Sequence, residues 1–180
     1  MNLTLANAGL PMIVVWVPGL FLAFIPIVLA EATVYRLLHK GEIVRWLARV
    51  SAANVASTLL GVPLTWLALV ILQMNTGGGG ALPLDTTIDR LIATVLHSPW
   101  VVPYQHDLHW LFPAAGLFLT LPFLIVSVML EHLVIRWMAQ SHGDDTTRLT
   151  RATAWLANGI TYFGVASLWS LGLYIAVGAA

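Results

Sequence analysis

Long hydrophobic runs separated by short polar links dominate this chain. Four runs, at residues 10–38, 46–74, 111–138 and 153–177, carry very few charges. A membrane-spanning helix needs about 20 mostly apolar residues, and each run is longer than that. The pattern therefore predicts an all-α integral membrane protein with four transmembrane helices.

The link between the second and third runs is the longest polar interruption. Within it, five apolar residues fall on one face of a helix: Ile88, Leu91, Ile92, Val95 and Leu96. A short helix with one apolar face is typical of a segment lying on the membrane surface. We expect a first transmembrane hairpin over 1–74, an extracytoplasmic loop with an interfacial helix over 75–110, and a second transmembrane hairpin over 111–180.

Composition supports the same class of protein. Hydrophobic residues make up 59% of the 180 positions and charged residues only 9%, whereas a soluble domain has about 25% charged residues. The lipid bilayer is therefore the expected surroundings. A net charge of zero gives no indication of a nucleic-acid partner. The absence of cysteine excludes disulfides and thiolate metal sites.

Basic residues are concentrated in the two short links, one inside each hairpin. Four arginines mark the ends of the runs there: Arg36, Arg49, Arg136 and Arg151. Because positively charged links stay on the cytoplasmic side, both links should be cytoplasmic and both ends of the chain outside. The expected location is the cell (inner) membrane.

One short sequence motif occurs twice, at the same place in each hairpin. "EATVYRLL" begins at Glu31 and "EHLVIRWM" at Glu131; Asn54 follows in "ANVAS" and Asn158 in "ANGIT". Both halves run in the same direction, so the match indicates an internal repeat of two tandem hairpins. Repeats of this kind are related by an axis along the membrane normal.

Each glutamate and its asparagine should reach a similar depth in the membrane. Both stand five to seven residues from the nearest interface arginine, about 7.5–10 Å at helical rise. A hydrogen bond between them would act as a polar clasp, worth about 0.6 kcal/mol on average in membrane proteins. Alternatively, Glu31 and Glu131 line a route for protons or cations, since intramembrane ionisable residues are functional candidates.

A second group of polar residues lies near the end of the outer loop. His97, His106, Asp107 and His109 carry imidazole and carboxylate groups that could bind Zn or Cu. Their spacing matches no established zinc signature, and no glutamate accompanies them as a general base. Histidine is also common among the tryptophans and tyrosines of a membrane interface.

No catalytic motif is present in the sequence. The "GGGG" stretch lacks the Lys and Ser/Thr of a phosphate-binding loop, and there is no Gly-x-Ser-x-Gly elbow. We expect a non-enzymatic scaffold, or a subunit of a membrane complex, associated with other membrane subunits or with copies of itself. The alternatives are an oligomeric proton- or cation-coupled transporter and a metal-dependent membrane enzyme using the outer histidines.

Overall fold

The computed structural model describes residues 13–77, 85–97, 108–144, 146 and 149–178. Within these ranges the chain forms five helices and no strand. They are α1 (Ile13–His39), α2 (Ile43–Gly77), α3 (Thr87–His97), α4 (Leu108–Ser141) and α5 (Arg151–Gly178). The prediction of an all-helical chain is confirmed for this part of the protein.

Four of the helices are long and apolar enough to cross a membrane. The candidate spans are Leu22–His39, Ile43–Asn75, His109–Ser141 and Arg151–Gly178. The longest helices, α2 and α4, have 35 and 34 residues, which corresponds to about 50 Å at helical rise. Both helices are therefore longer than the hydrocarbon core, which is about 30 Å thick. Four helices long and apolar enough to span a membrane are present in the described part of the chain, as the hydrophobic runs predict.

The chain divides into two compact units. The first, here called the glutamate unit, comprises Pro18–Pro63 and Thr120–Val165. The second, here called the α3 unit, draws on the described residues of Leu64–Leu119 and Ala166–Ala180. All four long helices contribute a segment to the glutamate unit, which contains both copies of the repeated motif.

Small residues form the centre of the glutamate unit. Ala32, Ala53, Ala139 and Ala157 are completely buried, one on each long helix. Alanine side chains let helix backbones approach closely, and close packing is the main force that joins helices within lipid. This packing brings the four helices near enough for polar side chains to bond across them.

The link between α1 and α2 is only three residues long. Lys40 and Gly41 both have positive φ, at 56° and 102°, so the backbone turns through the left-handed region there. The Trp46 indole N–H donates to the carbonyl oxygen of Lys40 at 2.8 Å. A buried side chain of α2 thus fixes the turn that precedes it.

Helix α3 begins with a reciprocal cap. The Asp89 amide donates to the Thr86 hydroxyl, and the Thr86 amide donates back to the Asp89 carboxylate. Of the apolar face expected to contact lipid, Val95 and Leu96 are instead buried within the protein, while Ile88 remains 68% exposed. The helix is present as predicted, but part of its apolar face is used in internal packing.

Candidate functional site

Six polar side chains meet in the interior of the glutamate unit. They are Glu31 on α1, Asn54 and Ser57 on α2, Glu131 on α4, and Asn158 and Thr161 on α5. We call this group the carboxyl cluster. Both glutamates are almost fully buried, with 1% and 2% of their surface exposed. Carboxyl groups at such positions need internal partners, because neither water nor lipid satisfies them.

Each glutamate accepts a hydrogen bond from the asparagine that the repeat pairs with it. The Asn54 Nδ2 atom lies 2.7 Å from Glu31 Oε2, joining α1 to α2. The Asn158 Nδ2 atom lies 2.8 Å from Glu131 Oε2, joining α4 to α5. Both asparagine amides also donate to the carbonyl oxygen one turn earlier in their own helix. The two pairs therefore have the same local geometry.

The second oxygen of each carboxyl group is bonded to the other helix pair. The Ser57 hydroxyl donates to Glu131 Oε1 at 2.9 Å, from α2 to α4. The Thr161 hydroxyl donates to Glu31 Oε1 at 2.9 Å, from α5 to α1. The sequence places a hydroxyl three residues after each asparagine, Ser57 in "ANVAS" and Thr161 in "ANGIT", but does not indicate its partner. The available signal was the spacing, because residues three apart share a helix face.

The two hydroxyl groups have a choice of acceptor. Besides a carboxyl oxygen, Ser57 lies 3.1 Å from the carbonyl oxygen of Asn54, and Thr161 lies 2.9 Å from that of Asn158. A hydroxyl has one proton to donate, so it serves only one acceptor at a time. If the carboxyl group is protonated, it can donate to the hydroxyl, which then donates to the backbone. The cluster thus accommodates both ionised and protonated carboxyl groups.

The two glutamates belong to one cluster, because each is bonded to both helix pairs. Neither glutamate takes part in a salt bridge within the described ranges. No basic side chain of this part of the protein therefore balances a negative charge on either carboxyl group.

Two further polar atoms are buried beside the cluster. Among the residues that the structure describes, Tyr35 Oη and Asn158 Oδ1 have no hydrogen-bond partner. Tyr35 follows Glu31 by one helical turn and is within electrostatic range of both carboxyl groups. Buried polar atoms without partners are rare in folded proteins. These two oxygens are therefore available to bind a further polar group or ion at the cluster.

An aromatic layer lies next to Tyr35. The Tyr35 ring stacks on Trp46 with a centroid distance of 5.3 Å, and the Arg49 guanidinium lies 5.3 Å from the centre of the Trp46 ring. The ring of His39 also packs there, and its Nε2 atom lies 3.0 Å from the Thr153 hydroxyl. These contacts join α1 to α2 and, through Thr153, to α5.

The interface arginines have different surroundings. Arg36, Arg136 and Arg151 are exposed, whereas Arg49 is buried and donates a hydrogen bond to Asp144 in the link between α4 and α5. This hydrogen bond holds the pKa of Asp144 below its ordinary value, and the charge of nearby Arg45 acts in the same direction. Sequence reasoning did not identify Asp144, because nothing local relates it to an arginine 95 residues earlier.

The outer histidine group falls mainly outside the described residues. His106 and Asp107 lie there, as does the His97 side chain, while His109 is exposed near the start of α4. Within the described part of the chain, no three His, Asp or Glu side chains come together as metal ligands. The Zn or Cu site at His97, His106, Asp107 and His109 stays a prediction.

No protein-family model, curated protein or solved structure matches this chain. The functional argument therefore rests on the geometry of the carboxyl cluster.

Proposed function

We propose that this chain is a small polytopic membrane protein that acts without catalytic machinery, as a scaffold or as a subunit of a membrane complex. The observation that carries the proposal is the use of both oxygens of each buried carboxyl group to bond neighbouring helices. Four interhelical hydrogen bonds would hold together the segments of α1, α2, α4 and α5 that form the glutamate unit. A rigid membrane body with few polar groups outside the bilayer suits assembly with other membrane subunits or with copies of itself.

The proposed topology follows from the basic links. Both links lie on the cytoplasmic side of the cell membrane, and both ends of the chain lie outside. In this arrangement α3 lies at the outer interface, with Ile88 and Ile92 available to lipid. The carboxyl cluster lies just inside the cytoplasmic face, near the ends of the helices that carry the arginines.

The first test is the composition of the native particle. The protein is extracted from its own host in mild detergent, and the mass of the intact complex is measured. A foreign subunit in fixed stoichiometry supports the component role and identifies the assembly. A monomer that carries no partner, in several mild detergents and after cross-linking in the membrane, would count against it.

The two buried carboxyl groups favour a second candidate function. Buried glutamates that have no basic partner in the described ranges are chemically suited to exchanging a proton or a cation. In this candidate, an oligomer of the chain transports protons or cations through Glu31 and Glu131. Flux across liposomes that is lost in folded Glu31→Gln and Glu131→Gln proteins would favour transport, and equal flux in both variants would exclude this route.

A further inference from the structure

We propose that the carboxyl cluster, together with Tyr35, binds one small monovalent cation of the Na⁺ type. This inference concerns binding alone and holds whether the chain is a scaffold or a transporter. A cation held permanently would be a structural part of the helix bundle, and one that exchanges would be a transported ion.

The first argument is the orientation of the Asn158 amide. Its nitrogen donates to Glu131, so the oxygen of the same planar group also lies at the cluster. Asn158 is 1% exposed, and its Oδ1 atom has no donor among the described residues. An unpaired buried carbonyl oxygen is energetically unfavourable, and a cation would remove that penalty.

The second argument is the chemical type of the groups. Carboxylate, amide and hydroxyl oxygens surround the site, and hard cations prefer these ligands. Tyr35 is 2% exposed and contributes a further oxygen without a partner in the described part of the protein. Together, Tyr35 Oη, Asn158 Oδ1 and the oxygens of Glu31 and Glu131 provide ligands from α1, α4 and α5.

The third argument is the charge of the site. Two buried carboxyl groups lie in the cluster, and no Lys or Arg forms a salt bridge with either of them in the described ranges. An unbalanced negative charge inside a membrane protein is costly, so a positive charge is favoured beside an ionised glutamate. A monovalent cation balances one ionised carboxylate and leaves the other carboxyl group neutral, whereas a divalent ion would require both groups to be ionised.

The test uses the full chain in lipid nanodiscs, and the measurements are repeated at several pH values. Binding of ²²Na⁺ is measured at equilibrium, and thermal unfolding is followed in NaCl, choline chloride and MgCl₂ at equal ionic strength. We expect one saturable Na⁺ per chain and a melting temperature that rises with Na⁺ but not with choline, because a ligand that binds only the folded state stabilises it.

Two variants locate the site, and a third serves as the control. Glu131→Gln removes a charge, and Tyr35→Phe removes only a hydroxyl group; each should weaken Na⁺ binding by at least about tenfold. Tyr35→Phe keeps the test valid if Glu131→Gln does not fold. Ser127→Ala removes an interhelical hydrogen bond to Tyr162 without touching a carboxyl group, and should bind Na⁺ normally.

Four results would overturn the proposal. They are folded protein without saturable Na⁺ binding, stoichiometric Mg²⁺ binding in place of Na⁺, stability that responds to pH but not to Na⁺, and full Na⁺ affinity in both site variants. The third result would indicate that protonation of the glutamates, rather than a bound cation, removes their charge. None of them bears on the mass of the native complex, so failure of this inference is distinguishable from failure of the proposed function.

Discussion

At the scale of single residues, the amide and hydroxyl groups of the carboxyl cluster connect different helices. Each asparagine bonds the glutamate of its own helix pair, and each hydroxyl bonds the glutamate of the other pair. Removing an asparagine bond would loosen one helix pair internally. Removing a hydroxyl bond would loosen the connection between the two pairs.

Thr161→Val tests the connection between the pairs. The substitution keeps the shape of the side chain and deletes the bond to Glu31. We expect a loss of about 0.6 kcal/mol in the free energy of unfolding, and at most about 1.7 kcal/mol, as for other interhelical bonds in membrane proteins. Reversible unfolding in mixed detergent and SDS micelles measures this change.

The control for this prediction is Thr33→Val. Thr33 is exposed on α1, and its hydroxyl bonds only the Leu29 carbonyl oxygen of the same helix. Its replacement should change stability by less than about 0.5 kcal/mol, as is usual away from buried features. Equal losses in the two variants would show that the bond to Glu31 does not connect the helix pairs.

At the scale of whole elements, close helix contacts depend on a few glycines. In the α3 unit, a methyl group on Gly116 of α4 would lie 2.7 Å from two ring atoms of Trp169 on α5. The Trp169 ring also packs edge-to-face on Phe112, with a centroid distance of 5.8 Å. Gly116 therefore makes room for an aromatic residue of the neighbouring helix.

Gly116→Ala should destabilise the protein by about 1–3 kcal/mol, because the Trp169 ring or the helix backbone must shift. Gly164→Ala is the matched control, since a methyl group there meets nothing within 4 Å. Melting temperatures of the two variants in the same detergent provide the comparison. A similar result for both would mean that α4 and α5 do not approach closely at Gly116.

Ion pairs also connect the helices near their links. Arg49 near the start of α2 and Asp144 after the end of α4 form an ion pair, and Arg45 lies 3.5 Å from the second oxygen of Asp144. The Asp144 side chain is 31% exposed, so solvent screens the pair. Pairs of this kind contribute about 0–1 kcal/mol.

The sign of the pH dependence follows from the lowered pKa of Asp144. The folded state favours the ionised Asp144 carboxylate. The contribution of Asp144 to the free energy of unfolding is therefore fully present above the ordinary pKa of 3.8, and it is lost as the pH falls through the lower pKa of the folded state. Asp144→Asn should remove this loss of stability at acidic pH. Unfolding curves of both proteins between neutral and acidic pH measure the difference, and identical acid dependence would contradict the assignment.

At the scale of the whole molecule, the proposed topology can be tested by chemical labelling. The chain has no cysteine, so a single introduced cysteine reports its own position. Asn75 near the end of α2 and His142 after α4 are both exposed. In intact cells, an impermeant maleimide should label Asn75→Cys, whereas His142→Cys should react only after the membrane is permeabilised. The opposite labelling pattern would invert the proposed orientation.

The sequence by itself determined the four long apolar helices and the pairing of each glutamate with an asparagine. These features are local, because an apolar run of about 20 residues forms a membrane helix whatever its neighbours are. Residues at equal distances from the arginines that flank a short link also reach similar depth. Glu31 and Asn54, which precede Arg36 and follow Arg49 by the same number of residues, are therefore the kind of pair that counting along the chain can find.

Only the tertiary structure decided that the two pairs belong to one cluster. Hydropathy does not reveal which helix packs against which, so the bonds from Thr161 to Glu31 and from Ser57 to Glu131 were not predictable. The same reason applies to the burial of Arg49 against Asp144 and to the inward packing of Leu96 on α3. Lipid favours any arrangement of four apolar helices about equally, and the close packing of small residues selects the one in which the carboxyl groups meet.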